Sequence, residues 1–516
     1  MNVRKSFVSA AIILIVAGFV ARIFGFVYRI YLSNLIGAEG MGLFQLVVPV
    51  YTAVVLTITA GISISVSKMV AEQQARNNSI NPGRITKCAL ALVLAAGTMV
   101  SLFIFLNIDL ISATILGDNR TYDALLLLVP CIPAVVAAAA LKGYFYGMQQ
   151  VMPTAFSQIA EQVVKIGFIL LLAQGVSGKG VEYACAVATL SAALGEIANL
   201  VVLAAVYIYK RRRSVIATLT GRRMRKRSII VELVKSAVPV SANRLVISIL
   251  SAAEYIMIPA MLVSGGLEHK TSMEVFGRLA GMALPLIMFP SLVTNSLATT
   301  LVPAISESIS LKNSKAVNYR ISKSIQVTFI LGMIFTALFI SYPNEIGGLV
   351  YRREKIGSFL YLLSFSCVFI YLQQTLTGVL NGLSKQGILL RNTVIGSVLR
   401  IGAVYLLIPS YGIQSYILCL TASFIVTSCL NLLAINKITG LLFNLREWLL
   451  KPGMIAAVMV LTGRYIYHFF EIFNCGATLT ILMTLSANVV ISGFLMMMAG
   501  VLKMDEVLNI LGLKKR

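Results

Sequence analysis

The chain has 516 residues, of which 58% are hydrophobic and only 12% are charged, a composition that excludes an ordinary soluble domain and predicts a polytopic membrane protein. Its formal net charge of +24 would favour nucleic acid in a soluble protein, but in a membrane protein basic inner loops account for it. The seven cysteines show no metal or disulfide spacing, so no metal and no cofactor are predicted.

The first apolar stretch begins near Phe7 and can cross a bilayer although it contains Arg22 and Arg29. Seven residues are about two helical turns, so both arginines lie on one helix face. The small residues on that face are Gly18, Gly25 and Ser33. Because an arginine at mid-membrane costs roughly 3 kcal/mol, this face is predicted to line a cavity. For Arg29, a position at the outer membrane interface is an equal alternative.

Hydropathy and turn signals predict fourteen spans, which begin near Phe7, Leu43, Thr86, Ala124, Val151, Val181, Val231, Phe276, Ser322, Gly357, Gly387, Ile413, Trp448 and Thr478. The connections after spans 2, 6, 8 and 12 are basic, and those after spans 1, 3, 5, 7, 11 and 13 are not. This asymmetry predicts both termini in the cytoplasm. One predicted outer loop disagrees, since it carries Arg352, Arg353 and Lys355, offset by Glu345 and Glu354.

An internal repeat predicts two lobes. Residues 141–172 align without gaps to residues 376–407, so Gly143 and Gly147 fall on Gly378 and Gly382. The copies are six spans apart and insert in the same orientation, which makes the repeat parallel. The predicted parts are an N-terminal lobe (1–209), a basic cytoplasmic linker (210–228), a C-terminal lobe (229–440), and residues 441–516 with spans 13 and 14 and a short amphipathic tail.

Polar residues recur inside later spans. Span 7 repeats the pattern of span 1, with Arg244 at similar depth and Glu254 close by. Span 8 begins with Arg278, and its prolines Pro285 and Pro290 permit bending. Span 11 contains Arg400.

Span 5 carries Glu161 and Lys165 at helical i,i+4 spacing. Mutual neutralisation is the favoured interpretation of this pair, and a role in coupling is the alternative. Glu196 in span 6 has no partner that the sequence identifies. Glu161, Lys165 and Glu254 are therefore predicted to be structural or coupling residues.

The charges within the spans are mostly arginines, namely Arg22, Arg29, Arg244, Arg278 and Arg400. A cavity lined by them should attract anions, and a guanidinium group can bind phosphate oxygens through two parallel hydrogen bonds. These five arginines are the predicted substrate-binding residues, and a diphosphate is their chemical match.

Four stretches carry a family resemblance: ARIFGFVYRIYLSNLIGAEGMGLFQLVVPVY (21–51), GISISVSKMVAE (61–72), LKGYFYGMQQ (141–150) and GMALPLIMFPSLVTNSLATTLVPAISE (281–307). In them the chain resembles the stage V sporulation protein B branch of polysaccharide and lipid II flippases, and the resemblance covers essentially the whole chain. It implies the multidrug/oligosaccharidyl-lipid/polysaccharide exporter fold, with two six-helix lobes, an extra helix pair and alternating access.

The resemblance also implies site residues. In peptidoglycan flippases, arginines of helices 1 and 8 are thought to hold the lipid-linked diphosphate, and Arg22 and Arg278 occupy those places. This chain departs from the family pattern in helix 1. When Arg22 is aligned with the family's first arginine, Tyr28 rather than Arg29 falls at the position of the second. The extra pair, spans 13 and 14, is implied to form a groove for a polyprenyl tail.

The predicted function is that of a flippase that moves an undecaprenyl-diphosphate-linked sugar, a peptidoglycan precursor for spore formation, across the bacterial cytoplasmic membrane. A cation-coupled multidrug exporter of the same fold is the alternative, although span 1 lacks the carboxylate that such an exporter needs. A membrane enzyme is disfavoured, because the short outer loops offer no paired acid and base. The predicted partners are the lipid-linked glycan and anionic lipids, without nucleic acid, and the protein is predicted to be a monomer.

Overall fold

The computed structural model describes residues 2–76, 78, 80–176, 179–215, 223–472, 476–498 and 500, with side chains from Val16 onward except at 174, 176 and 213–215. Regular structure in these ranges is helical, and no strand occurs in them. The amphipathic tail predicted from Lys503 onward lies outside the described residues.

Backbone contacts divide the chain into unit 1, Met1–Gly277, and unit 2, Arg278–Arg516. Unit 1 contains α1 (Asn2–Ala75), α2 (Asn81–Leu106), α3 (Ile108–Leu110), α4 (Tyr122–Leu128), α5 (Ile132–Gly147), α6 (Met152–Val176), α7 (Val181–Val215), α8 (Lys226–Ser264) and α9 (His269–Phe276). α8 packs along α1 and therefore belongs to unit 1, so the division between the units falls after α9. The domain boundaries predicted from the sequence stay a prediction.

Unit 2 contains α10 (Leu284–Met288), α11 (Ser291–Ser310), α12 (Ser314–Ser341), α13 (Pro343–Val350), α14 (Gly357–Ser364), α15 (Cys367–Gly382), α16 (Gln386–Thr439), α17 (Lys451–Glu471) and α18 (Ala477–Met498). The local sequence determines where some of these helices begin. Asn313, for example, precedes α12, and its side chain accepts a hydrogen bond from the Ala316 amide at 3.0 Å. That bond satisfies one of the amides left without a partner in the first helical turn.

The two longest helices are each broken at one glycine. The backbone of α1 is non-helical at Gly37 (φ 71°), and that of α16 is non-helical at Gly412 (φ 69°). A positive φ is accessible to glycine at little cost, so these positions can redirect the chain without a loop. At about 1.5 Å per residue, 74 and 54 residues would far exceed a hydrocarbon core of about 30 Å if they were straight. Each helix thus accommodates two successive predicted spans.

Ten helices within the described residues are long and apolar enough to cross a membrane, or twelve if each of two bent pairs is one span. The all-α polytopic prediction is confirmed, whereas the count of fourteen stays a prediction. One bent pair is His269–Met288 with Ser291–Ser310, at 59°, where the prolines of span 8 predicted a bend. This helix begins at His269, so Arg278 lies nine residues inside it rather than at its start.

The internal repeat is visible in the helix limits. α5 (Ile132–Gly147) and α15 (Cys367–Gly382) begin and end 235 residues apart, the spacing that the sequence alignment gave. Their C-terminal caps also match. Gln149 and Ser384, again 235 apart, are non-glycine residues with φ values of 57° and 59°. Each cap is closed by a hydrogen bond from the next amide, Gln150 to the Phe145 carbonyl and Lys385 to the Leu380 carbonyl.

The repeat extends to the helices that these two cross. A Cβ atom on Gly143 would lie 2.7 Å from the Ser63 carbonyl oxygen of α1, and one on Gly378 would lie 2.6 Å from the Ala298 carbonyl oxygen of α11. Ser63 and Ala298 are themselves 235 residues apart. The two glycines therefore occupy the same close helix crossing in each unit. Ser63 and Ala298 lie outside the aligned ranges 141–172 and 376–407, so the structural repeat is longer than the one detected in the sequence.

We expect Gly143→Ala and Gly378→Ala each to lower the thermal unfolding midpoint of the purified protein. The added methyl group would press against a backbone carbonyl oxygen, and overpacking of this kind typically costs about 1–3 kcal/mol. Matched controls are Gly167→Ala and Gly402→Ala, which share the same spacing but whose added Cβ would meet no atom within 4 Å. These controls should be neutral or slightly stabilising, and equal losses in both pairs would contradict the crossing.

The extra helices α17 and α18 are attached to unit 2 through a buried tyrosine. The Tyr342 hydroxyl donates a hydrogen bond to the Gly463 carbonyl oxygen at 2.6 Å, and Asn488 Nδ2 donates to that hydroxyl at 2.9 Å. The hydroxyl would lie 2.9 Å from a Cβ at position 463, so glycine permits this approach. The role of this helix pair toward a lipid tail stays a prediction.

At one end of unit 1, a cluster of charged side chains connects three segments by hydrogen bonds and ion pairs. Arg120 donates hydrogen bonds from Nη2 to Asp118 Oδ2 at 2.8 Å and from Nη1 to Glu39 Oε1 at 2.6 Å. His269 Nε2 lies 2.8 Å from the same Asp118 Oδ2. The cluster therefore joins the α3–α4 connection to the start of α9 and to the part of α1 that follows Gly37.

The Asp118 carboxylate should stabilise this end in a pH-dependent way. Burial acts to raise its pKa, but hydrogen bonds from Arg120 and His269 outweigh burial and hold the pKa below its ordinary value. A carboxyl group whose folded-state pKa is depressed stabilises the fold above its unfolded pKa of about 3.9, and this contribution is lost as the pH falls through the folded-state value.

Asp118→Asn is accordingly expected to reduce the free energy of unfolding by about 1.5–3 kcal/mol near neutral pH. The difference from wild type should begin to narrow below about pH 4, where the unfolded wild-type chain takes up the proton, and should vanish only below the lower pKa of the folded state. Thermal unfolding from neutral to acidic pH measures both effects. Asp109→Asn removes an exposed carboxylate from α3, which precedes this connection, and serves as the control. A pH-independent difference would refute the assigned role of the charge.

Candidate functional site

Arg22 and Arg29 lie on the first arm of α1, before the break at Gly37. Arg22 is exposed and Arg29 is partly buried. Along the same face, a Cβ atom on Gly18 would meet nothing within 4 Å, whereas one on Gly25 would lie 3.4 Å from Gln162 Oε1 of α6. The small-residue face is therefore open near Arg22 and covered by α6 one turn further on.

Tyr28, which falls where the resemblance places a second arginine, is buried rather than presented to a ligand. Its hydroxyl lies 2.7 Å from Ser191 Oγ and donates to the Ala188 carbonyl oxygen at 3.2 Å. Both partners belong to α7. The departure from the family pattern thus replaces a cation with a contact that fixes α1 against α7.

Arg244 and Glu254 lie in α8, but in different surroundings. Arg244 is exposed and Glu254 is buried. Ten residues correspond to about 15 Å along a helix, so the two are not neighbours, and the proximity assumed from the sequence is wrong. Arg244 therefore resembles Arg22 in being an exposed guanidinium in an apolar helix.

Arg278 belongs to unit 2 and lies in the π-helical segment Gly277–Ala283. Its Nε donates a hydrogen bond to Glu354 Oε2 at 2.9 Å, and both side chains are less than a third exposed. Glu354 comes from the charged loop that fitted the predicted topology poorly. Single-turn π segments often occur at functional sites, because the extra residue changes the direction of the side chains.

Arg400 is held by its own helix hairpin. Its guanidinium donates hydrogen bonds to Ser423 Oγ at 2.9 Å and Ser397 Oγ at 3.1 Å, and lies 5.8 Å from the centre of the Phe424 ring. All three partners belong to α16, on either side of the Gly412 break. These contacts suit a residue that joins the two arms of α16, while its predicted substrate role stays a prediction.

The predicted Glu161–Lys165 pair forms part of a larger buried cluster in unit 1. Lys165 Nζ lies 2.6 Å from Glu161 Oε1 and 3.5 Å from Glu196 Oε1. Asn199 Nδ2 and Gln162 Nε2 also donate hydrogen bonds to Glu161, at 2.7 and 3.3 Å. Glu196, which the sequence left without a partner, thus shares the ammonium group of Lys165.

Tyr51 adds a hydroxyl group to the surroundings of this cluster. The hydroxyl is buried and has no hydrogen-bond partner among the described residues. It lies close enough to Glu196 and Glu161 to interact with them electrostatically. Sequence reasoning missed Tyr51 and Asn199, because a single polar residue in an apolar helix carries no periodic signal.

The arrangement can bind an anion through Arg22 and Arg244, which are exposed, while the carboxylates of α6 and α7 share Lys165. No group of three or more histidine, cysteine or acidic side chains suited to a metal ion occurs in the described part of the chain.

Comparison with known proteins places this arrangement in context. The family described as polysaccharide biosynthesis protein matches residues 7–309. Stage V sporulation protein B of Bacillus subtilis (strain 168) is 27% identical over 512 residues, covering 98% of each chain. Lipid II flippase MurJ of the same organism is 26% identical over 420 residues, covering 75% of each chain. These findings confirm the resemblance predicted from the four sequence stretches.

Solved structures give the same fold. An inward-facing multidrug resistance MATE family transporter of the MOP superfamily superposes with a TM-score of 0.65 at 14% identity, over 81% of this chain and 94% of its own. A MOP superfamily transporter from Pyrococcus furiosus, for which reverse polarity of the binding pocket suggests a different function, gives 0.60 at 16% identity, over 84% of this chain and 96% of its own. At these identities the likeness shows the fold alone.

Proposed function

The chain belongs to the polysaccharide biosynthesis protein family, and from this membership we propose that it is a flippase that moves a lipid-linked, diphosphate-bearing sugar across a bacterial membrane. It is a multi-pass membrane protein, and its relatives of named activity are a lipid II flippase and transporters rather than enzymes. The predicted absence of enzymatic activity agrees with those relatives.

Exposed arginine is the structural observation that carries this proposal. Arg22 and Arg244 are exposed within apolar stretches of α1 and α8 that are long enough to cross a membrane. Such a residue is costly beside lipid and is stabilised by an anion. A diphosphate offers several oxygens to the planar guanidinium, and the contacts strengthen where water is scarce.

The more specific assignments rest on the named relatives. Similarity to a lipid II flippase supports an undecaprenyl-diphosphate-linked peptidoglycan precursor as the substrate, and similarity to a stage V sporulation protein supports a role in spore cortex synthesis. The basic loops support an orientation with both termini in the cytoplasm.

A cation-coupled multidrug exporter is the alternative function. The fold likeness to MATE transporters allows it but carries no information about the substrate. In unit 1, Lys165 lies within ion-pair distance of both Glu161 and Glu196, which leaves less negative charge for a cationic drug.

The test is translocation in proteoliposomes that contain the purified full-length protein. A fluorescent undecaprenyl-diphosphate sugar is compared with the matching neutral polyprenol glycoside and with an organic cation. Selective movement of the diphosphate lipid is expected. Movement of the organic cation alone would favour the exporter, and equal movement of all three would overturn the assignment of an anion site.

A further inference from the structure

A second basic site lies in unit 1, apart from the arginines of the transport site. An open pocket of about 780 Å³ lies between the C-terminal part of α1 and the first turns of α8. Its lining residues are Lys68, Arg225, Arg227, Ser228, Val231, Glu232, Lys235 and Ser236. Four of these eight residues are cationic and one is acidic, so the pocket has an excess of three positive charges.

Most of this positive charge is not neutralised within the protein. Lys68 makes only a 3.9 Å ion pair with Glu72, and both side chains are exposed. Among the described residues, no carboxylate forms a salt bridge with Arg225, Arg227 or Lys235. A cluster of like charges at close range is unfavourable unless a counter-ion binds to it.

The backbone holds the pocket in place. Ile229 and Leu233 of α8 are buried, so the opposite face of these turns carries the cations outward. The chain entering α8 is fixed because the Met224 amide donates to Asn81 Oδ1 at 3.1 Å, and Asn81 Nδ2 donates to Gln73 Oε1 of α1 at 2.8 Å. The pocket is therefore built from two helices whose spacing is set by direct contacts.

The surroundings indicate a ligand at the membrane surface. α8 has 39 residues, or about 58 Å of helix, against a hydrocarbon core of about 30 Å, so its ends reach the headgroup region. Val231 in the pocket and Val238 two turns further on are 58% and 56% exposed, beside the cations. Cationic residues interleaved with exposed apolar ones are typical of helices that contact anionic lipid headgroups.

We propose that this pocket binds the phosphate of an anionic lipid headgroup. Arg227 and Lys235 contact the phosphate oxygens from one helix, and Lys68 contacts them from the other. The predicted topology places the pocket on the cytoplasmic side, where anionic lipids are enriched. The pocket lining includes neither Arg22 nor Arg244, to which the proposed function assigns the transported substrate.

Binding is tested with the full-length protein in phosphatidylcholine nanodiscs that contain a small fraction of phosphatidylglycerol. The readout is the number of phosphatidylglycerol molecules retained by the protein, measured by mass spectrometry across a titration. The variant Arg227→Gln/Lys235→Gln is expected to bind this lipid at least about tenfold more weakly than wild type. The matched control, Arg223→Gln/Lys226→Gln, removes two exposed charges nearby that do not line the pocket.

A second arm separates the two sources of phosphate. Inorganic diphosphate is titrated into nanodiscs of phosphatidylcholine alone that contain wild type or the pocket variant. The readout is the difference between their shifts in thermal unfolding midpoint, because both proteins retain Arg22 and Arg244, which are proposed to bind diphosphate. Loss of phosphatidylglycerol binding in the pocket variant only, with equal diphosphate shifts in the two proteins, supports the lipid site. A diphosphate shift that the pocket variant loses, without lipid binding by wild type, would replace the lipid by a soluble phosphate compound. Equal lipid binding by all variants, or equal losses in the pocket variant and the control, would overturn the site.

Discussion

Arg22→Ala is expected to abolish transport of a diphosphate lipid, and Arg22→Lys is expected to lose most of it, with membrane abundance unchanged in both. Arg22 is exposed, and a Cβ atom on the neighbouring Gly18 would meet nothing within 4 Å, so removal of the Arg22 side chain should cost little packing. Lysine retains the charge but not the planar, two-pronged donor. Loss of a charge-assisted contact costs about 1.5–3 kcal/mol, which is about one to two orders of magnitude in binding.

The measurement is precursor binding to purified wild-type and variant proteins, followed by translocation. Arg464→Ala is a matched control, because Arg464 is also an exposed arginine in an apolar helix, α17, but lies outside the predicted site. Equal precursor affinity in wild type and Arg22→Ala would remove Arg22 from the site. Lower abundance of Arg22→Ala would indicate a structural role instead.

Lys165→Met should produce the largest loss of stability. It leaves Glu161 and Glu196 without their shared cation in a region where Lys165 and Glu161 are only 14% and 13% exposed. Removal of one partner from a buried ion pair typically destabilises a protein by about 3–5 kcal/mol. We expect low membrane abundance and a lowered thermal unfolding midpoint, while Lys165→Arg retains the charge and most of the stability.

A triple variant separates charge from packing. Lys165→Met combined with Glu161→Gln and Glu196→Gln contains no uncompensated charge in the cluster, so it should recover much of the lost stability. If the triple variant were no more stable than Lys165→Met, packing of the lysine side chain would be the cause. If Lys165→Met were as stable as wild type, the cluster would have no stabilising role.

Local patterns made part of this structure predictable. The spacing of Glu161 and Lys165 predicted their ion pair correctly, because residues four apart lie on one helix face. The prolines after Arg278 predicted the bend in span 8. The alignment of Gly143 with Gly378 predicted the internal repeat. Each of these signals depends on residues close in sequence or on a fixed periodicity.

Contacts distant in sequence were not predictable. Glu354 pairs with Arg278 across 76 residues, and Glu196 pairs with Lys165 across a helix connection. Pattern alone also could not show that Tyr28 is hydrogen-bonded to α7 or that Glu254 is buried away from Arg244. Such pairings depend on which helices pack together, and apolar helices of similar composition give little information about that.

The shared spacing of 235 residues also records how the two halves diverged. At that spacing, Arg400 stands where unit 1 has Lys165, but Gly396 and Asn431 stand where unit 1 has Glu161 and Glu196. The two copies thus share the close helix crossings and the capped helix ends but differ by two negative charges. The two copies therefore share backbone geometry but not charge, and in unit 1 only a compensated change, such as the triple variant, is expected to leave the scaffold intact.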